Sequence, residues 1–140
     1  MRGTPRYAPA CVAAAAAFFA LGTFVYLACR PRQPMLFTAL GINAASFLSQ
    51  CVTFPFHSWL PTFAHVNALS LASCSLLRPG IRSILAAASC WTVANVLWEF
   101  RSMSTGTVDW PDVFAACLGF GTAVAVASWL MRLSSTVRSA

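Results

Sequence analysis

The sequence predicts an all-α fold, a polytopic bundle of transmembrane helices with five spans. Of the 140 residues, 59% are hydrophobic and 9% are charged, and the mean hydropathy is +0.71. Soluble domains carry about a quarter charged residues, so this chain has too little charge to cover a water-facing surface. Five apolar runs, separated by Arg, Pro and Gly, make up most of the length. We therefore expect a single membrane domain over residues 1–140.

The first two predicted spans cover residues 9–29 and 35–54. Both have about the 20 apolar residues that a spanning helix needs. Arg30 and Pro31 end the first span, and Pro55 ends the second. The Ala-rich first run also resembles a signal peptide, but it is long for the apolar core of one.

The remaining predicted spans cover residues 61–77, 81–100 and 111–131. The first of these is short and carries His65 and Asn67, so a re-entrant segment is the alternative, which would leave four spans. Five spans would place the two termini on opposite sides of the membrane.

The arginines indicate an orientation, because cytoplasmic loops carry an excess of positive charge. With five spans, one side of the membrane holds Arg2, Arg6 and Arg101, and the other holds Arg30, Arg32, Arg78, Arg82, Arg132 and Arg138. This pattern predicts an N-terminus outside and a C-terminus in the cytoplasm. We read the positive charge as a signal for topology and lipid contact rather than for nucleic acid.

All three carboxylates fall in one stretch, WEFRSMSTGTVDWPD, at residues 98–112. The predicted topology brings them to the outer face together with both histidines and one arginine. The candidate ligand-binding residues are His57, His65, Glu99, Arg101, Asp109 and Asp112.

Two of these acids have a structural explanation. In D-W-P-D, Asp109 suits the N-cap of the last helix, Pro111 suits its first turn, and Asp112 suits the positive end of its dipole. Glu99 instead ends its span at the negative end of the helix dipole, close to the membrane, where ionisable residues are costly. Glu99 and His65 are therefore the first candidates for any catalytic or binding role.

Known catalytic signatures are absent from the sequence, including G-x-S-x-G, H-E-x-x-H and the P-loop. The acids and histidines could hold a divalent metal or perform acid–base chemistry, but their spacing selects neither. We predict no cofactor and no metal. The six cysteines form no C-x-x-C pair and are expected to pack as small apolar residues.

The pattern of polar residues within residues 60–125 resembles that of the VanZ-like membrane proteins. The pattern is a histidine early in a span, a glutamate at a helix end, and D-x-x-D-x-x-A-x-x-x-G opening the last helix. It is carried by His65, Glu99, Asp109, Asp112, Ala115 and Gly119. The resemblance implies a bacterial envelope protein of the inner (cytoplasmic) membrane, in a family associated with glycopeptide tolerance.

Three functional hypotheses follow. The first is a VanZ-like envelope protein, not itself an enzyme, whose outer polar site holds a lipid or lipid-linked headgroup. The second is an accessory subunit packed against other transmembrane subunits of a larger complex, which the polar residues within the spans would suit. The third is a membrane enzyme that acts on a lipid substrate.

Overall fold

A computed structural model describes residues 7–29, 58–102 and 108–136 of the chain, and all regular structure there is α-helical. The predicted all-α class is therefore confirmed for this part of the chain. The helices are α1 (Tyr7–Cys29), α2 (Leu60–Leu76), α3 (Ile81–Ser102) and α4 (Trp110–Thr136). The predicted span 35–54 and His57 lie outside the described residues.

Three of these helices are long and apolar enough to cross a membrane, over Tyr7–Tyr26, Ile81–Arg101 and Trp110–Thr136. Their outward faces carry many large apolar side chains, including Phe19, Phe24, Leu97, Trp98, Phe114 and Trp129. Such surfaces suit contact with lipid rather than water. The protein is membrane-embedded.

The prediction of five spans is wrong. Among the described residues three helices qualify as spans, and the third predicted span does not. That segment forms α2, a helix of 17 residues. At a rise of 1.5 Å per residue it is about 26 Å long, shorter than the roughly 30 Å hydrocarbon core of a bilayer. It is one continuous helix, and the alternative of a re-entrant segment stays a prediction.

Helices α1 and α2 are antiparallel. Tyr7 and Cys11, at the start of α1, pack in one core cluster with Cys74 near the end of α2. Gly22, near the end of α1, lies against Ala64 near the start of α2.

This antiparallel packing gives the physical reason why the five-span topology fails. A single membrane crossing between α1 and α2 would make the two helices parallel. Instead Cys29, which ends α1, and Ser58, which precedes α2, lie at the same end of the bundle. The opposite placement of the two termini, which the five-span count predicted, is not compatible with this packing.

The other helices extend the same arrangement. A short turn at residues 77–80 reverses the chain, so α3 runs antiparallel to α2. Trp91 Nε1 of α3 donates a hydrogen bond to Ser73 Oγ of α2 at 2.8 Å. Helix α4 is parallel to α2, because Asp112 near the start of α4 bonds to Thr62 near the start of α2, and Gly119 further along α4 contacts Val66 further along α2. Helix α2 thus packs against all three other helices.

The bundle therefore has two different ends. We call one the acidic end, where α1 and α3 finish and α2 and α4 begin; its described charges are Glu99, Arg101, Asp109 and Asp112. We call the other the arginine end, where α1 and α3 begin and α2 and α4 finish; its described charges are Arg78, Arg82 and Arg132.

Glycines allow the close approach to α2 from two sides. A Cβ atom at Gly22 of α1 would lie 2.9 Å from the Ala64 Cβ. A Cβ atom at Gly119 of α4 would lie 3.1 Å from Val66 and 3.2 Å from the Phe63 carbonyl oxygen. Gly121, two residues along α4, has open space around it.

We expect Gly119→Val to destabilise the fold by about 1–3 kcal/mol, because the added side chain overpacks the α2–α4 contact. Gly121→Val is the matched control on the same helix and should change stability by no more than about 0.5 kcal/mol. Thermal unfolding in detergent measures both. Equal effects of the two substitutions would contradict the packing of α4 on α2.

Candidate functional site

Among the predicted site residues that the structure describes, Asp112 is the most enclosed, with 7% of its surface exposed. Its Oδ1 accepts a hydrogen bond from Thr62 Oγ1 at 3.0 Å. Asp112 lies in the first turn of α4 and Thr62 in the first turn of α2. The bond therefore joins the beginnings of two parallel helices at the acidic end.

A buried carboxylate is costly unless it is compensated. Here the compensation comes from the fold, because the beginning of a helix carries a partial positive charge. Asp112 lies at two such beginnings at once, that of its own helix and that of α2. The backbone agrees with the D-W-P-D pattern: Asp109 precedes α4, and its carbonyl accepts from the Asp112 and Val113 amides at 3.1 and 3.2 Å.

His65 faces α1. Its ring lies 6.0 Å from the Phe19 ring, centroid to centroid, at a tilt of 42°. The same imidazole borders Gly22, where a Cβ atom would approach its Cδ2 to 3.3 Å. The histidine and Asp112 therefore lie on different sides of α2, one towards α1 and one towards α4.

Glu99 and Arg101 lie in the last turns of α3, where Glu99 is half-buried and Arg101 is exposed. Helix α3 packs against α2 and α4, and within the described residues it does not pack against α1. The contacts of His65 are with α1, so a joint site of Glu99 and His65 stays a prediction. Asp109 is exposed at the acidic end.

An aromatic groove opens at the acidic end between the beginnings of α2 and α4. Its volume is about 550 Å³, within the roughly 300–1,000 Å³ usual for ligand sites. The groove is lined by Ser58, Trp59, Trp110, Pro111 and Phe114. The Trp110 ring also meets Phe100 of α3 edge-on, with centroids 6.2 Å apart and planes at 90°.

Sequence reasoning missed this groove, because Trp59 and Trp110 are far apart in the sequence and nothing there shows that they are neighbours. The signal that could have found it is repeated local chemistry. Each of the two helix starts has a Trp followed closely by a Pro: Trp59 immediately precedes α2 in W-L-P, and Trp110 is the first residue of α4 in W-P. Proline favours the first turn of a helix, so each Trp marks a helix start. Two parallel helices then bring the tryptophans together.

The described residues contain no group of three or more His, Cys, Asp or Glu side chains that could hold a metal ion. Within the same residues, Cys11, Cys74, Cys90 and Cys117 are free thiols. The first two are buried in the core cluster beside Tyr7, so they pack as small apolar side chains there.

No family model, no curated protein and no solved structure matches this chain. The VanZ-like resemblance of residues 60–125 therefore stays a prediction.

We expect Thr62→Val to cost about 1–3 kcal/mol of folding stability, because it removes a hydrogen-bond donor from a buried carboxylate. Thr122→Val is the matched control, since the Thr122 hydroxyl bonds only within its own helix, to the Leu118 carbonyl at 3.0 Å.

A double-mutant cycle with Asp112→Ala, which removes the acceptor, tests the pair directly. The combined loss should be smaller than the sum of the two single losses, because both substitutions remove the same bond. Strict additivity in thermal unfolding would show that Thr62 and Asp112 do not support each other.

Proposed function

We propose that this chain is a VanZ-like membrane protein that binds a lipid or a lipid-linked headgroup at its acidic end and is not itself an enzyme. The observation that carries the proposal is the aromatic groove lined by Trp59, Trp110 and Phe114. It lies at the end of the bundle that also holds all three carboxylates.

The groove has the amphipathic character that a lipid needs. Tryptophan rings favour the boundary between hydrocarbon and headgroups, and the groove opens where two helices begin. Its lining is mostly aromatic and suits the upper part of an acyl chain. Ser58 on the groove wall and Asp109, which precedes Trp110, supply polar groups at headgroup level.

The arrangement also refines the original site hypothesis. The buried Asp112 already has a structural partner in Thr62, so replacing it would disturb packing as well as binding. The exposed groove residues give a cleaner test, since Trp110 is 65% exposed and Phe114 is 68% exposed.

A photoactivatable phospholipid should label the purified full chain at residues 58–59 and 110–114. Trp59→Leu and Trp110→Leu should each lower this labelling several-fold, because they remove aromatic surface from the groove. Trp129→Leu is the matched control: it is 59% exposed on the same helix as Trp110 but lies at the arginine end. Equal labelling of all three variants and the wild type would refute the lipid site.

We also propose that the protein lies in a bacterial inner membrane with its arginine end in the cytoplasm. That end carries Arg78, Arg82 and Arg132. In the sequence, Arg2 and Arg6 precede α1 and Arg138 follows α4, so we count them with the same end. The acidic end carries Arg101, and Arg30 and Arg32 follow α1 there. The count of six arginines against three favours the arginine end as the cytoplasmic one, because cytoplasmic loops carry an excess of positive charge. Helix α2 also runs from one end of the bundle to the other, so the described helices make four passes between the ends and both termini are then cytoplasmic.

Cysteine labelling in a Cys-free background tests this orientation. In intact bacterial cells, a membrane-impermeant maleimide should label Val108→Cys at the acidic end. Gly3→Cys and Ala140→Cys should react only after the cells are opened. Labelling of either terminus in intact cells would contradict the proposed orientation.

A further inference from the structure

We infer that Cys11 of α1 and Cys74 of α2 form a binding site for Cu(I), a soft monovalent metal ion, with the Tyr7 hydroxyl as a supporting hydrogen-bond donor. The site lies at the arginine end of the bundle, so it is separate from the aromatic groove and does not rest on the proposed lipid binding. The sequence predicted no metal, because spacing motifs are the signal there and this pair forms only through helix packing.

The two thiols are neighbours because α1 and α2 are antiparallel. Cys11, in the second turn of α1, and Cys74, near the end of α2, belong to one core cluster. They are close enough to interact electrostatically, and both are free thiols. Their exposed fractions are 0% and 3%. The chain therefore holds two soft ligands side by side in a place that is closed to solvent.

Tyr7 is the third member of this group. Its hydroxyl is buried and lies beside both thiols, close enough to interact with each of them. It makes no hydrogen bond of good distance and angle among the described residues. A hydrogen bond to an ionised acceptor is stronger than one to a neutral acceptor. An O–H group beside two cysteines therefore suits a site in which both are thiolates.

The donor set selects the ion. Thiolates favour soft ions such as Cu(I), whereas Mg²⁺ and Ca²⁺ prefer oxygen ligands. Zinc needs three or four protein ligands, and the described residues hold no group of three or more His, Cys, Asp or Glu. Cu(I) accepts two thiolates in a linear arrangement, which two cysteines on neighbouring helices can supply. One Cu(I) and two thiols give one bis-thiolate complex of net charge −1 and release two protons.

The arginine end compensates the negative charge of this complex. Arg78 closely follows Cys74 in the sequence, and Ile84, two residues after Arg82, packs in the same core cluster. Arg132 directly follows a residue that packs against that cluster. All three carboxylates of the chain lie at the acidic end instead. A disulfide between the same cysteines would be neutral and would use neither the O–H donor nor the positive charge.

The test is anaerobic titration of the full chain with Cu(I), in competition with a chromophoric Cu(I) chelator. The other cysteines are first replaced by Ala, namely Cys29, Cys51, Cys90 and Cys117. This parent variant should bind one Cu(I) per chain, and X-ray absorption should report two sulfur ligands. Adding Cys11→Ala or Cys74→Ala should abolish the binding. Cu(I) should raise the unfolding temperature of the parent and leave that of these two variants unchanged.

The tyrosine has a matched control on the same helix. Tyr7→Phe should weaken Cu(I) binding about ten-fold, as expected for one hydrogen bond to a charged group. Tyr26→Phe, at the other end of α1, should leave the affinity unchanged. Binding that survives Cys11→Ala or Cys74→Ala, or a spectrum with nitrogen or oxygen as the main ligands, would overturn the inference. Equal affinities of the Tyr7→Phe variant and its parent would overturn the role of the hydroxyl.

Discussion

The rest of the structure depends on the close packing of α2 between the other helices. Small residues make this approach possible, with Gly22 of α1 against Ala64 and Gly119 of α4 against Val66. Asn67 and Ser70 on α2 are fully buried as a result. The Asn67 amide group donates to the Phe63 carbonyl at 2.9 Å, but its Oδ1 and the Ser70 hydroxyl have no hydrogen-bond partner among the residues that the structure describes. Buried polar atoms without a partner are costly, so tight packing must outweigh that cost.

The same packing creates the candidate site. Because α2 and α4 are parallel, their beginnings meet at one end and bring together groups that are far apart in sequence. Thr62 and Asp112 form the hydrogen bond between them, and Trp59 and Trp110 line the groove above it. The buried carboxylate is stable there because two helix dipoles point at it. Structure and proposed binding thus share one end of the bundle, where the acid supports the scaffold and the aromatic side chains line the groove.

Much of the secondary structure could be predicted from the sequence, because long apolar runs and Pro or Gly breaks mark helices directly. The predicted segment 81–100 became α3 at Ile81–Ser102, and 61–77 became α2 at Leu60–Leu76. The arrangement could not be predicted, since hydropathy shows which segments are apolar but not which helices are neighbours. The five-span topology failed for that reason. His65 facing α1 and Thr62 bonding to Asp112 likewise depend on helix pairing, which leaves no periodic signal in one sequence.

The central claim is that α1 and α2 are antiparallel, so that the end of α1 and the beginning of α4 lie at the same end of the bundle. Spin labels at the exposed positions Phe24, Phe114 and Leu133 test it most directly, in pairs and in a Cys-free background. Positions 114 and 133 are about 28 Å apart along α4, at 1.5 Å per residue. The account predicts a Phe24–Phe114 distance shorter than the Phe24–Leu133 distance by roughly 20 Å, on the same helical rise. The reverse order of the two distances would mean that α1 runs parallel to α2, and it would contradict the account.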